Sequence, residues 1–217
     1  MRNILVLISS IIGLGISPLQ AQLTDKLVPH MGFMWEFATL EETPGGPTST
    51  LSSFYNFHIG TYYAIAHYND IFSFGVDPSI QVGLNFVPVS NGSAIYTRVN
   101  YVIQAPVYLM ARVGANSTPY NQQAIGFATG IGASYTFLSQ QTGDISLRRK
   151  TRNGYTNPSV VAELTILSRG NPLTGRFHFS PFKVNSDLVF KNVDTKEVVS
   201  SFTFPMGNWG IGLIYGF

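Results

Sequence analysis

Asn208-Trp-Gly-Ile-Gly-Leu-Ile-Tyr-Gly-Phe217 separates into two interleaved rows. Trp209, Ile211, Leu213, Tyr215 and Phe217 make one; Asn208, Gly210, Gly212, Ile214 and Gly216 make the other. Side chains of a strand alternate between its two faces, so one face here is large and apolar and the other mostly small. A soluble sandwich would turn its second face to water and stock it with Lys, Glu and Thr. A glycine-rich second face is crowded instead of wetted. That suits a narrow barrel whose large row meets lipid and whose small row lines the lumen.

The same pattern recurs upstream. Met31, Phe33, Trp35 and Phe37 oppose His30, Gly32, Met34, Glu36 and Ala38. Tyr55, Phe57, Ile59 and Ile65 oppose Asn56, His58, Gly60, Tyr62 and Ala64. Comparable rows run over 72–86, 95–112 and 125–137, with a short one over 160–166. The segment 176–190 is the least regular, because Pro181 lacks the ladder donor and a bulge there can shift the phase. The spacing therefore predicts an all-β chain: an eight-stranded antiparallel transmembrane β-barrel with a side-chain-filled lumen. Most segments have 11 residues or more, and a tilted membrane strand needs about 9–11. Aromatics near segment ends (Trp35, Phe37, Tyr55, Phe86, Trp209, Phe217) fit the girdles of such a barrel.

Connection lengths point the same way. The odd connections, 40–52, 87–93, 139–157 and 191–203, are on average longer than the even ones, 67–70, 113–122 and 169–175. Long outer loops with short inner turns are the outer-membrane pattern. Tyr68-Asn69-Asp70, Gly170-Asn171-Pro172 and Asn91-Gly92 are turn signals.

Composition sets the bounds. Charged residues are 11% of 217, against about 25% in an ordinary soluble domain. The absence of Cys excludes a disulfide framework, a thiolate metal site, a Cys nucleophile and a lipid-modified Cys. A net charge of +2 leaves no electrostatic footprint for nucleic acid. Residues 1–21 read as a secretory signal peptide, with Arg2 ahead of a 13-residue apolar run and Pro18 and Ala21 before Gln22. That run is short of the about 20 residues a spanning helix requires. The expected mature domain is 22–217, in the outer membrane of a Gram-negative bacterium.

Tyr101-Val-Ile-Gln-Ala-Pro-Val-Tyr-Leu-Met-Ala-Arg-Val-Gly114 and the glycine-rich Gly126-Phe-Ala-Thr-Gly-Ile-Gly-Ala-Ser-Tyr135 resemble consecutive strands of the PorT-like outer-membrane barrels of Bacteroidetes. The resemblance covers about two strands and implies an eight-stranded barrel, with family roles that include accessory work in secretion. The C-terminal row Trp209, Ile211, Leu213, Tyr215 and Phe217 resembles the signal read by the barrel-assembly machinery.

Three groups of residues could carry chemistry. The inward rows hold Glu36, His58, Asp77, Gln81, Asn85, Arg98, Asn100, Gln104, Arg112 and Glu163. These form a small-ion path or a plug of paired charges, and eight strands leave an interior about filled by side chains, which favours the plug. His178 and Ser180 share a strand face and raise a lipid acyl hydrolase or acyltransferase, but residues two apart lie about 7 Å apart along a strand. That is too far for a base and its nucleophile. Arg148, Arg149, Lys150 and Arg152 place four of 13 basic residues in one outer loop, a contact for lipopolysaccharide phosphate or a protein partner. The loop at 40–53, with Glu41, Glu42, Pro44 and Pro47, is a second candidate for partner contact. No His spacing suggests a metal, and no cofactor is called for. The preferred reading is a non-enzymatic barrel, structural or accessory within an envelope complex, in contact with outer-membrane lipid. A lipid-modifying enzyme and a narrow channel are the alternatives. Intact-mass measurement of protein purified from membranes should find a chain beginning at Gln22; a mass that includes residues 1–21 would refute the cleavage.

Overall fold

A computed structural model describes residues 26–43, 48–90, 95–140, 153–182, 184–191, 198–204 and 208–217. They form ten antiparallel strands: β1 (Leu27–Thr43), β2 (Thr48–Tyr68), β3 (Phe72–Ser90), β4 (Ile95–Gly114), β5 (Ile125–Gln140), β6 (Asn153–Ser168), β7 (Asn171–Phe179), β8 (Val184–Lys191), β9 (Val198–Phe204) and β10 (Asn208–Gly216). Each of β1 to β7 pairs with its sequence neighbour, β7 pairs with β10, and β10 returns to β1. The result is a closed eight-stave barrel, β1–β7 plus β10. The signal segment and the basic cluster Arg148, Arg149, Lys150 and Arg152 lie outside the described residues.

The eight expected segments are the eight staves, but their lengths and ends differ from the expectation. The segment 176–190 is not one strand. β7 stops at Phe179, and Ser180 N–H makes the last rung to Asn208 O at 2.7 Å. Pro181 then has no N–H to continue the ladder. The chain resumes as β8, which turns back as β9, and β9 joins the end of β1 through Glu41↔Thr203 to Thr43↔Ser201. So 191–203, expected as a loop, contains a strand. The loops expected at 40–52 and 139–157 are likewise shortened: β1 runs to Thr43, β2 starts at Thr48, and β6 starts at Asn153 and spans 16 residues. Turn geometry moves one position in one case. Asn69 and Asp70 both have positive φ, as expected, whereas the second tight turn is Arg169-Gly170, with Asn171 and Pro172 already on β7.

Facing follows the period-two rows in the described staves except near the end of β2, where a bulge between Ala64 and Ala66 shifts the phase and brings Tyr68 onto the outer face. The outward row is large, apolar and exposed: Phe33, Ile59, Ile80, Ile103, Ile131, Leu164 and Leu213 are each 48% or more accessible. Only lipid makes such a surface favourable, since water would meet a continuous apolar belt. Aromatics bracket the belt. Phe37 stacks on Trp209 with ring centroids 4.7 Å apart, and Tyr55 meets Phe86 edge-on at 5.5 Å. On the same strand as Tyr55, Tyr68 marks the other rim, paired with Phe72. Thirteen residues separate these two tyrosines on a strand tilted by about 40°, which is about 33 Å along the barrel axis. That matches a membrane's apolar thickness.

The inward row is not uniformly small. Met34, Phe54, Tyr62, Tyr108 and Met110 are all fully or nearly fully buried in the lumen. Tyr108, Met110 and Met34 fit because the paired strand offers glycine, and Glu36 gains room the same way. Tyr108 pairs with Gly132, Met110 with Gly130, Met34 with Gly212, and Glu36 with Gly210. A Cβ on Gly132 would come within 2.8 Å of the Tyr108 ring, and one on Gly210 within 2.6 Å of the His178 ring. The first and last strands show this complementarity over five consecutive inward pairs: His30↔Gly216, Gly32↔Ile214, Met34↔Gly212, Glu36↔Gly210 and Ala38↔Asn208.

Unboiled protein should migrate as a folded, heat-modifiable form on gels. Ile131→Arg, midway along the lipid face of β5, should cost about 2–4 kcal/mol in denaturant unfolding from vesicles. Gly212→Leu should lower the folded fraction through collision with Met34. Unshifted mobility of wild type, or wild-type stability of Ile131→Arg, would contradict the lipid-facing assignment.

Candidate functional site

Period-two alternation on β3, β4, β6 and β7 brings Asp77, Arg112, Glu163 and Arg176 to one level of the lumen, each 5% exposed or less. Glu163 and Arg176 are direct ladder partners. Arg176 donates from Nε to Glu163 Oε1 at 2.6 Å, and its Nη2 pairs with Asp77 and with Glu163. Arg112 Nη2 lies 3.3 Å from Glu163 Oε2 and 3.6 Å from Asp77 Oδ2. Two carboxylates thus face two guanidiniums. Tyrosines support both cations: the Tyr62 ring centroid is 4.0 Å from Arg112 Cζ, and that of Tyr108 is 5.9 Å from Arg176 Cζ. Such a quartet is tolerable in a dry interior because each charge has partners; a single one left alone would cost several kcal/mol.

β1 and β2 add a histidine pair below the quartet. His30 Nε2 stands 3.4 Å from Asp77 Oδ1, while its Nδ1 lies 3.3 Å from Val28 O. His58 stacks on it at 5.1 Å, with the rings inclined by 14°.

A second layer surrounds Glu36, which no described arginine reaches. Amides solvate it instead. Gln104 Nε2 and Asn208 Nδ2 each donate to its Oε2 at 3.0 Å, and Asn56 Nδ2 lies 3.5 Å from Oε1. Asn56 also donates to Gln104 Oε1 at 3.1 Å and Gln81 Oε1 at 3.4 Å. His178 Nε2 is 3.9 Å from Glu36 Oε2. The cavity beside this layer measures about 10 Å³, room for one water molecule at most. Further along, Asn100 bonds Asn85 at 3.0 Å, Asn85 bonds Ser52, and Asn157 bonds Asn208. At the opposite end Thr165 and Thr174 hydroxyls meet at 2.8 Å.

That end is closed by the 115–124 loop. Ser117 Oγ donates to Asp70 O at 2.8 Å, Arg112 Nη1 to Asn116 O at 3.4 Å, and Ser73 Oγ to Ser117 O. The loop therefore hangs from the β2–β3 turn and from the quartet itself.

Of the ten residues expected in the lumen, Glu36, His58, Asp77, Gln81, Asn85, Asn100, Gln104, Arg112 and Glu163 are buried there. Arg98 is on β4, and its side chain lies outside the described residues. Arg176, which ties the quartet together, was not among the ten, nor were His30, Asn56 and Asn208. The row containing His178 and Ser180, read two positions back, reaches Arg176. That reading needed the strand to begin before 176, and it begins at Asn171. His178 and Ser180 do share the inward face, in the lumen and away from lipid. The Ser180 hydroxyl is committed to Asn157 Oδ1 and Pro158 O. The terminal row Trp209, Ile211, Leu213, Tyr215 and Phe217 is exposed on the lipid face between β7 and β1. Among the described residues, no three His, Asp or Glu side chains are grouped to hold a metal.

No family model matches the chain, and no curated protein matches it. Solved structures do resemble it, two outer-membrane proteins among them. The outer membrane protein OprG from Pseudomonas aeruginosa aligns over 88% of this chain and 96% of its own, with a TM-score of 0.57 and 12% identity. Ail, the attachment invasion locus protein of Yersinia pestis, solved with the heparin analogue sucrose octasulfate, aligns over 87% and 99%, with a TM-score of 0.42 and 13% identity. The likeness to OprG is one of fold, the closed eight-stranded antiparallel barrel of bacterial outer-membrane proteins.

Arg176→Met should destabilise the barrel by about 3–5 kcal/mol, because it strands Asp77 and Glu163. Adding Glu163→Gln should restore a large part of the loss. Urea unfolding followed by tryptophan fluorescence measures both; equal stability of the single variant and wild type would refute the quartet's role.

Proposed function

We propose that this chain is a non-enzymatic integral outer-membrane barrel that works through its outer loops and its wall, as a structural or accessory subunit of an envelope complex. The observation that carries the reading is the lumen, closed at one end by the 115–124 loop and filled by the charge quartet and the Glu36 amide layer. A tube so filled offers transport no continuous wet route. It also offers an enzyme no substrate access, since the His30–Asp77 and His178–Glu36 pairs sit inside it. What remains available to partners is the lipid-facing belt and the two ends, one of which carries the β8–β9 hairpin.

In this reading the short turns at 69–71 and 169–170 face the periplasm and the long connections face outward. The cations Arg148, Arg149, Lys150 and Arg152 meet lipopolysaccharide phosphates or an acidic partner surface there, where bidentate Arg–phosphate pairing is favourable. The exposed row ending at Phe217 is the surface offered to the barrel-assembly machinery. An accessory role in secretion is one of the roles that the PorT-like resemblance of β4 and β5 implies.

Two measurements decide it. In planar bilayers the folded protein should show no unitary conductance above the lipid background. In a mild-detergent extract it should co-purify with a protein partner at fixed stoichiometry, and lose that partner when Arg148, Arg149, Lys150 and Arg152 are all changed to Gln. Steady conductance, or migration alone with release of fatty acid from lipid, overturns the proposal.

A further inference from the structure

Beside the 115–124 plug lies a cavity of about 210 Å³. Three separate pieces of chain wall it: the start of β1, the plug loop, and the β6–β7 turn with Phe217 against it. Its polar lining is Asn116, Thr118, Asn121, Gln122 and Asn171, all neutral and each with both donor and acceptor capacity. Pro29, Pro119, Pro172, Leu167 and Phe217 supply flat or apolar surface. No side chain that lines it is charged. Asn121 is already committed to the Asp70 carbonyl and the Gln123 amide, so it shapes the wall. Thr118 is different. It is 5% exposed, and its Oγ1 has no hydrogen-bond partner. An unsatisfied buried hydroxyl is costly, and here it borders a space large enough for a ligand.

We propose that this cavity binds one uncharged sugar ring. The lining excludes the other classes. A phosphate or carboxylate would need a cation, and none lines the space. An acyl chain would leave several amides and the Thr118 hydroxyl without partners. An extended peptide is commonly held by main-chain pairing at a free strand edge, but the strands at this end are paired on both sides: His30↔Gly216, Leu173↔Tyr215 and Ser168↔Asn171. A sugar ring satisfies what is left. Its hydroxyls both donate and accept, as amides and Thr118 do, and its C–H faces lie on proline and Phe217 surfaces. The volume is below the about 300–1,000 Å³ of sites for drug-sized ligands, so the site takes one ring and not a chain. The cavity offers the same lining whichever way the barrel is inserted in the membrane.

The test titrates the barrel in lipid nanodiscs with the single-ring sugars N-acetylglucosamine and glucose and with an end-capped neutral prolyl-leucine dipeptide, read by saturation-transfer NMR. At least one sugar should bind saturably. Thr118→Val should weaken it by about 2- to 10-fold, the worth of one hydrogen bond, and Gln122→Trp should abolish it by filling the cavity. Both variants should keep the unboiled gel mobility of the folded form. Preference for N-acetylglucosamine would assign an acetamido contact, and equal binding of the two sugars a contact to ring hydroxyls; both results support the site. Binding of neither sugar, binding of the dipeptide alone, or wild-type sugar affinity in both variants overturns it.

Discussion

Two carboxylates and two guanidiniums, contributed by four staves, have to meet inside a tube that water barely enters. That meeting constrains much else. Asp77, Arg112, Glu163 and Arg176 reach one level only if β3, β4, β6 and β7 hold their registers, so each pairing in that half of the wall is tied to the others through charge. The cations then need something flat beneath them, and Tyr62 and Tyr108 provide it. Rings of that size need space across the adjacent strand, and glycines such as Gly132 provide that. The small residues of the inward rows are thus a consequence of large residues beside them.

The second layer solves a different problem. Glu36 carries a charge with no described arginine near it, and three side-chain amides from β2, β4 and β10 turn their N–H groups toward it. Charge-assisted hydrogen bonds to amides are individually weaker than an ion pair in this setting but can be oriented with little reorganisation. With the plug loop below, the two layers convert a cylinder into a solid rod, apolar outside and cross-linked within. The surfaces left for recognition are the two ends and the belt.

The in-and-out pattern was legible because period two is read directly from residues such as Trp209 to Phe217, and because an apolar row that meets lipid leaves no ambiguity about which side is outer. Strand ends were less legible. β1 and β2 continue past Leu40 and through Ser53 with polar residues, and beyond the membrane neither row is forced to be apolar, so the alternation fades while the ladder persists. Pro181 announced a break but could not say whether the chain bulged or restarted; β8 and β9 show a restart. Arg176 escaped notice for a related reason: Gly175 interrupts the apolar row at the point where the strand had to be recognised. Partners across the lumen, such as Asp77 and Arg176, lie 99 positions apart, and no local spacing records their approach.

The five inward pairs of the β1–β10 seam have a bearing on how the cylinder shuts. Displacing one strand by two residues keeps every apolar side chain facing lipid, so greasiness alone cannot tell the correct closure from its nearest errors. Bulk can. Sliding β10 one way would set Met34 against Ile214 and leave Gly32 facing Gly216; sliding it the other way would set His30 against Ile214 and leave Gly32 facing Gly212. Each mistake makes one overlap and one hole. Because the offset at this final joint determines the stagger of the entire barrel, the notches opposite Met34 and Glu36 act as a key cut for a single lock position, rejecting misassembled cylinders that polarity would accept.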